Sequence, residues 1–167
     1  MVPQLIIDIY RACGAFNTSP PSFIEQWYSM QKQVDLEGCN SMLHVGIGEH
    51  QECRMWNWLF KHISSVTHFE NIDIEDEAVK AARQSNNPLI HNANLCDVRC
   101  LRDTYSDSHF DVILWSHGPE HIEKVDWEAT FAQLEAVANK LVILQCPWGG
   151  YYNGDVGHVT KDITPNM

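Results

Sequence analysis

Between Met42 and Cys146 the chain alternates short apolar runs with segments of helical periodicity, and this order constrains its fold more than any other feature. Strands that alternate with helices predict a parallel sheet covered on both faces. Two unbroken apolar runs, Val112–Trp115 and Leu141–Leu144, suit strands that are buried on both faces. We therefore predict an α/β fold built on a doubly wound, mostly parallel sheet.

Five strands and three helices follow from these patterns. The predicted strands are Met42–Val45, Val66–Asp73, Leu89–Ala93, Phe110–Trp115 and Leu141–Cys146. The predicted helices are Glu52–Ile63, Glu75–Arg83 and a third marked by Trp127, Phe131, Leu134 and Ala138. In the first helix Met55, Trp58, Leu59 and His62 share one face.

Residues 1–40 precede this alternation and are expected to form a helical segment that packs on the core. Val2–Ala12 has apolar residues at helical spacing, and Ser22 with Glu25 forms a capping box at the start of a second helix. Residues 41–167 then carry the strands and helices. A length of 167 residues favours one domain overall.

The formal net charge is −11 at pH 7, which repels phosphate backbones and anionic membranes. We therefore expect no direct nucleic-acid partner and no membrane partner. None of the six cysteines forms a C-x-x-C pair, and His44, His50 and His91 lack the spacing of metal ligands, so no metal site is predicted. The start of the chain lacks the pattern of a signal peptide, and a cytoplasmic location is expected.

A strand followed by Gly46-Ile47-Gly48 and a helix is the first feature that indicates a ligand. Glycines allow a sharp turn and close approach of a ligand, at which the helix points its N-terminus. Asp73 ends the next strand, where a carboxylate can accept hydrogen bonds from both hydroxyls of a ribose. The alternatives are a purely structural tight turn and a helix N-cap at Asp73.

Five segments in order resemble the motifs of class I methyltransferases that use S-adenosylmethionine (SAM). They are Met42–Gly48, Asn71–Ile74, Asn94–Val98, Ser108–Ile122 and Leu141–Pro147. The resemblance implies a Rossmann-like methyltransferase fold, SAM as cofactor and S-adenosylhomocysteine as product. The cofactor-binding residues that it implies are Gly46, Ile47, Gly48, Asp73, Ile74, Asp97, Val98, Trp115 and Ser116.

Two positions depart from the family pattern. His44 stands where an acidic residue is usual, and His50 stands where a third glycine is common, so we expect weaker SAM affinity or an unusual site. A dinucleotide-binding protein is the nearest competing interpretation. It needs a small residue where Gln51 stands, and that side chain would obstruct close packing of helix on strand.

His117, Glu120 and His121 follow the fourth strand, beside the expected methyl group, and are the candidate catalytic residues. A histidine that titrates near neutrality suits general-base catalysis. The alternative is that His121 packs or caps and that Glu120 is solvated. A glycine-rich loop with three aromatic residues, Trp148, Tyr151 and Tyr152, either closes over an acceptor or covers the sheet edge.

The family sheet usually continues with a helix and an antiparallel strand pair, and we expect those last two strands to be missing. Leu141–Cys146 is then an edge strand with the composition of a buried one, so its edge should be covered. The candidates to cover it are the N-terminal helices and a second copy of the chain in a homodimer.

The leading functional hypothesis is a SAM-dependent methyltransferase that acts on a small molecule or a protein group. The alternative is a non-catalytic, methyltransferase-like module that serves as a partner-binding subunit. The two hypotheses differ in whether the purified chain binds SAM and transfers its methyl group unaided.

Overall fold

The computed structural model describes residues 35–48, 51–146 and 157–160, together with the backbone of a strand at 4–7. The side chains of Gln51, Glu52 and Ile63 are outside this description. Three predicted features also lie outside the described residues. They are the helix beginning at the Ser22–Glu25 capping box, the loop position His50, and the aromatic loop with Trp148, Tyr151 and Tyr152.

The described residues form six strands, three α-helices and three short 3-10 helices. The strands are β1 (Gln4–Ile7), β2 (Ser41–Val45), β3 (His68–Asp73), β4 (Ala93–Leu95), β5 (Phe110–Ser116) and β6 (Ala138–Gln145). The α-helices are α1 (Gln51–Ile63), α2 (Asp76–Gln84) and α3 (Trp127–Val137). The 3-10 helices span Val98–Asp103, Pro119–His121 and Lys124–Asp126. In this part of the chain no helix is long and apolar enough to cross a membrane.

The six strands form one sheet in the order β1-β6-β5-β2-β3-β4, and every neighbouring pair is parallel. From β2 the chain moves outward through β3 to β4 and then returns to the other side of β2 as β5. The strand order therefore reverses between β2 and β5. In open α/β sheets this switch point, at the carboxyl ends of the strands, is where ligands bind. The predicted doubly wound parallel sheet is confirmed.

The N-terminal helix predicted at Val2–Ala12 is wrong for the part that the structure describes, because Gln4–Ile7 is a strand. It pairs with β6, with Gln4 opposite Leu141 and Ile7 opposite Leu144. A short apolar run fits a strand and a buried helix equally well by periodicity, and here the long-range partner decides. β6 is therefore covered, as expected, but by a strand of its own chain. The homodimer was expected because the edge of β6 would otherwise be uncovered, and β1 now covers that edge.

The predicted strand at Leu89–Ala93 is also wrong, because β4 begins only at Ala93. The preceding residues form a turn whose carbonyl groups bind a buried side chain. The Asn71 amide donates to the Leu89 carbonyl at 3.2 Å and to the Asn92 carbonyl at 3.0 Å. In a strand, the carbonyls of Leu89 and Asn92 would accept hydrogen bonds from a neighbouring strand. Here the Asn71 side chain donates to them instead, so the turn needs no strand partner.

Alternate residues of the strands fill two layers of core, one under α1 and one under α3. Met42 and Trp56 lie in the first layer, and Leu43 and Leu134 lie in the second. Of the four residues grouped on one face of α1 by periodicity, Leu59 is buried and Met55 is half-buried. The buried residues are Cys53, Trp56, Asn57, Leu59 and Phe60, whereas Trp58 is exposed and its ring contacts that of His62 at a tilted angle. Apolar residues extend beyond the buried stripe of this helix to Met55 and Trp58, so periodicity alone does not delimit its inner face.

Candidate functional site

The predicted glycine turn lies directly at the switch point. Gly46 has φ +89° and Gly48 has φ +51°, a left-handed region that favours glycine. The N–H of Gly46 donates to the carbonyl of Ile72 at 2.9 Å, which fixes the exit of β2 against β3. A Cβ added to Gly46 would lie 3.6 Å from the carbonyl oxygen of Ser116 at the end of β5. The backbones of β2 and β5 therefore approach each other closely at the mouth of the crevice.

Asp73 holds this glycine turn in place. One oxygen of its carboxylate accepts hydrogen bonds from the N–H groups of Ile47 at 2.7 Å and Gly48 at 3.0 Å. The other oxygen accepts from the N–H of Glu75 at 2.8 Å. Asp73 is buried, and the N-cap of α2 is Glu75 rather than Asp73. The carboxylate already takes three hydrogen bonds from the protein, so only its remaining acceptor capacity is available to a ligand.

Two large apolar side chains are exposed beside Asp73. Ile74 follows Asp73 directly and is 61% exposed, and Leu95, the register partner of Asp73 on β4, is 54% exposed. Both lie at the carboxyl edge of the sheet. Exposed apolar residues at a ligand-binding edge offer a surface on which a flat ring can pack. Ile74 was predicted from its motif, whereas Leu95 was missed because nothing in its local sequence marks it.

Asp97 follows β4, where the resemblance places a residue facing the adenine. A bidentate ion pair with Arg99 occupies its carboxylate, with Nε–Oδ2 and Nη2–Oδ2 distances of 2.9 and 2.6 Å and an Nε–Oδ1 distance of 3.0 Å. Hydrogen bonds from the Arg99 guanidinium lower the pKa of Asp97. Asp97 also accepts from the Arg99 backbone N–H as the N-cap of a 3-10 helix, and the neighbouring Val98 is buried.

The end of β5 lies across the crevice from the glycine turn. The Trp115 ring is buried in the core, 6.5 Å from the Phe131 ring between centroids, so it faces the interior. A Cβ added to Gly118 would lie only 1.5 Å from Trp115 Nε1, so the indole packs directly on the Gly118 backbone. The buried Ser116 hydroxyl donates to Gln145 Oε1 at 2.8 Å, which ties β5 to β6.

The three predicted catalytic residues lie together after β5. His117 has a φ of +50°, which is uncommon for a residue with a side chain and is typical of functional turns. Its Nδ1 lies 3.2 Å from Glu120 Oε1. The Glu120 side chain is only 1% exposed, whereas that of His117 is 36% exposed and His121 is exposed. The structure therefore contradicts the alternative of a solvated Glu120.

His158, which sequence reasoning did not select, joins this group. One ligand atom each from Glu120, His121 and His158 lie within 4.8 Å of one another. The rings of His121 and His158 are 5.0 Å apart between centroids and nearly perpendicular. The separation in sequence between position 120 and position 158 hid this grouping, because only the return of the chain to the end of β5 brings the two segments together.

His44 points into the core and not toward the crevice. Its Nδ1 lies 3.0 Å from Asn57 Oδ1, and the Asn57 amide donates to Asn71 Oδ1 at 2.7 Å and to the Leu89 carbonyl at 2.8 Å. These side chains are fully buried. A connected, satisfied polar network of this kind gives specific geometry to a core. The role of His44 is therefore to link β2, α1 and β3.

No family model matches the chain, and no curated protein matches its sequence. Its structure is similar to that of a SAM-dependent methyltransferase from Archaeoglobus fulgidus, with a TM-score of 0.64, 16% identity, and coverage of 84% of this chain and 62% of the other. A methyltransferase from Mesorhizobium loti gives a TM-score of 0.50, 17% identity, and coverage of 68% and 48%. The cyclase SpnF also gives 0.50 and 17%, with coverage of 70% and 42%.

The chain spans less than two thirds of the length of each of these structures. At such identities the similarity establishes the arrangement of the sheet and helices, and a fold hosts more than one chemistry. The switch point, the glycine turn and the parallel strand order agree with that arrangement. The chain thus has the Rossmann-like fold of the class I SAM-dependent methyltransferases.

Proposed function

We propose that the chain binds SAM in the crevice between the ends of β2 and β5 and transfers its methyl group to an acceptor. The observation that carries the proposal is the glycine turn at the switch point, held in its left-handed shape by the Asp73 carboxylate. A turn fixed before the ligand arrives costs no ordering entropy on binding. Such a turn suits a cofactor that must approach the backbone closely.

The proposed cofactor contacts follow from the resemblance and from the positions of the side chains. The methionine end of SAM lies on the turn Gly46–Gly48, and the adenine packs on the exposed Ile74 and Leu95. Asp73 takes one ribose hydroxyl with its remaining acceptor capacity. Asp97 and Val98 border the adenine edge, and the backbone of Trp115–Ser116 forms the opposite wall.

The proposed acceptor site lies beyond the methyl group, after β5. His117 is the candidate base for an acceptor that loses a proton on methylation, since its ring is partly exposed and Glu120 holds it. Positioning the acceptor can supply much of the rate enhancement for in-line attack on a sulfonium. The acceptor is a small molecule or a protein group. A cytoplasmic location is part of the proposal, and it suits the free thiols of Cys39, Cys96 and Cys100.

Calorimetry with SAM and with S-adenosylhomocysteine tests the proposal. We expect saturable binding of both, and no binding of NAD⁺ at the same concentrations. Absence of heat with either SAM-derived ligand at millimolar concentration would reject the proposal. Transfer of labelled methyl groups by the purified chain to a panel of small molecules and proteins then separates an enzyme from a module that binds SAM without catalysis.

A matched pair of glycine variants shows where the ligand binds. Gly46→Ala and Gly38→Ala both place a side chain at positive φ, at a cost of about 1–2 kcal/mol each, but Gly38 precedes β2 at the opposite end of the sheet. We expect both to lower the melting temperature and only Gly46→Ala to weaken SAM binding, by about tenfold, or about 1.4 kcal/mol. Equal affinities in the two variants would place the ligand elsewhere.

A further inference from the structure

Glu120 combines deep burial with an unsatisfied oxygen. Its Oε1 is 3.2 Å from His117 Nδ1, whereas its Oε2 is the one buried side-chain oxygen or nitrogen among the described residues that has no hydrogen-bond partner. A carboxylate oxygen withdrawn from water without a partner is costly, and native structures retain such a group mainly where a ligand, ion or water completes it. We therefore expect a positively charged or hydrogen-bonding partner at Glu120 Oε2.

Besides His117, two further imidazoles lie near Glu120. His121 and His158 each bring a ring nitrogen to within 4.8 Å of a Glu120 carboxylate oxygen and of each other. His121 Nδ1 lies 3.1 Å from the carbonyl oxygen of Gly157. A carbonyl only accepts, so this contact places the imidazole proton on Nδ1 and leaves the lone pair on Nε2. A backbone carbonyl that fixes the tautomer in this way is the usual outer partner of a histidine that binds a metal.

The two segments that supply these side chains are held together by backbone hydrogen bonds. The N–H groups of Val159 and Thr160 donate to the Glu120 carbonyl at 2.9 and 3.1 Å. The Thr160 hydroxyl donates to the carbonyl of Ile122 at 2.6 Å, and Thr160 is buried. The separation between Glu120 and His158 is therefore set by the fold and not by chance contact of surface side chains.

We propose that Glu120, His121 and His158 bind a divalent first-row transition cation of the Zn²⁺ type. Two imidazoles and one carboxylate are a donor set that such cations use in catalytic sites, and three protein ligands leave coordination positions open. Ligand distances of about 2.0–2.1 Å place tetrahedral ligand atoms about 3.3 Å apart. The three ligand atoms now lie within 4.8 Å of one another, so the side chains would have to close on the ion as it binds. His117 becomes an outer partner that orients the Glu120 carboxylate.

This site adjoins the proposed acceptor site, where Glu120 contacts His117, but it shares no side chain with the residues proposed to bind SAM at the glycine turn, Asp73 and Ile74. Mg²⁺ prefers an octahedral shell of oxygen ligands and is expected to bind weakly here. The proposal therefore predicts a preference for Zn²⁺ and Co²⁺ over Mg²⁺. It applies to the full chain whether or not SAM is bound.

Titration of the metal-free chain with Zn²⁺ by calorimetry, and with Co²⁺ by visible absorption, tests the proposal. We expect one equivalent of Zn²⁺ to bind. His121→Gln and His158→Gln should each weaken it by at least about tenfold, the lower end of the effect of losing even an outer partner. His91→Gln is the matched control, because His91 is an exposed histidine outside the group. It should leave Zn²⁺ affinity unchanged.

Glu120→Gln removes the buried charge. It should abolish the visible absorption that Co²⁺ shows when it is bound at a site of low symmetry. Circular dichroism and thermal melting identify any variant that has lost its fold, and the two histidine variants then decide the question, since neither histidine is buried. Zn²⁺ binding that is equally weak in the parent chain, His158→Gln and His91→Gln would overturn the proposal. That outcome is the one expected if only a water molecule binds the free oxygen of Glu120.

Discussion

Replacing Asp73 with asparagine tests whether one carboxylate organises the glycine turn. The variant keeps the size of the side chain and removes its charge and one acceptor oxygen. If the remaining oxygen faces Ile47 and Gly48, the new amide group faces the N–H of Glu75, which is also a donor. One hydrogen bond is then lost, and the other two become bonds between neutral groups.

The cost follows from these three bonds. A hydrogen bond to a charged group contributes about 1.5–3 kcal/mol, and a bond between neutral groups is roughly half as strong. The loss of one bond and the weakening of two give about 2–4 kcal/mol, because water can partly satisfy the N–H of Glu75. For a domain of 150–250 residues, about 1 kcal/mol lowers the melting temperature by about 2–4 °C. We therefore expect Asp73→Asn to melt roughly 5–15 °C below the parent chain.

Urea unfolding followed by circular dichroism measures this loss, and Glu75→Gln is the control. Glu75 is exposed, and its side chain makes no capping hydrogen bond, so neutralising it should cost less than about 0.5 kcal/mol. Asp73→Asn should also weaken SAM binding, whereas Glu75→Gln should not. Equal stabilities of the two variants would refute the inference that the Asp73 carboxylate holds the turn.

Three further outcomes follow from individual contacts. Gly118→Ala should destabilise the chain by about 1–3 kcal/mol or more in urea unfolding, because its Cβ would lie 1.5 Å from the buried Trp115 ring. Burial raises the pKa of Asp111, but hydrogen bonds from backbone N–H groups and an asparagine side chain outweigh burial and lower it. Stability from Asp111 is therefore fully present above its unfolded pKa of about 3.9 and is lost as the pH falls through the folded value. Asp111→Asn should flatten that acid slope in urea unfolding at a series of pH values. Burial raises the pKa of the Cys96 thiol, so iodoacetamide followed by mass spectrometry should label the exposed Cys100 before Cys96.

The sheet could be predicted where a pattern is local and repeated. β5 and β6 are long apolar runs whose composition requires burial on both faces, and both were located to within a few residues. β1 could not be predicted, because four residues carry too little periodicity to separate strand from helix. Its conformation depends on pairing with β6, more than a hundred residues away in sequence. No short window of the sequence contains both β1 and β6, so local patterns cannot reveal that they pair.

The candidate site likewise has residues that could be predicted from local sequence and residues that could not. The glycines at positions 46 and 48 were identified because positive φ requires a residue type that is visible in the sequence. The hydrogen bonds of Asp73 to that turn were not predicted, because they join the ends of two strands that meet only in the folded sheet. His158 was missed for the same reason. Sequence patterns therefore reveal positions with a local steric requirement, and they leave unassigned the partners that the fold supplies.

The switch point also explains why the two proposed sites can be tested separately. The side chains proposed to hold SAM follow β2, β3 and β4, and only the backbone of Trp115–Ser116 borders SAM from β5. Glu120 and His121 follow β5, on the other side of the reversal in strand order. A ligand that spans the crevice contacts both sides, yet each side is organised by its own hydrogen bonds. Asp73 fixes the first, and the backbone bonds to the Glu120 carbonyl fix the second. Loss of one binding activity therefore does not entail loss of the other, and the failure of either proposal leaves the evidence for the other intact.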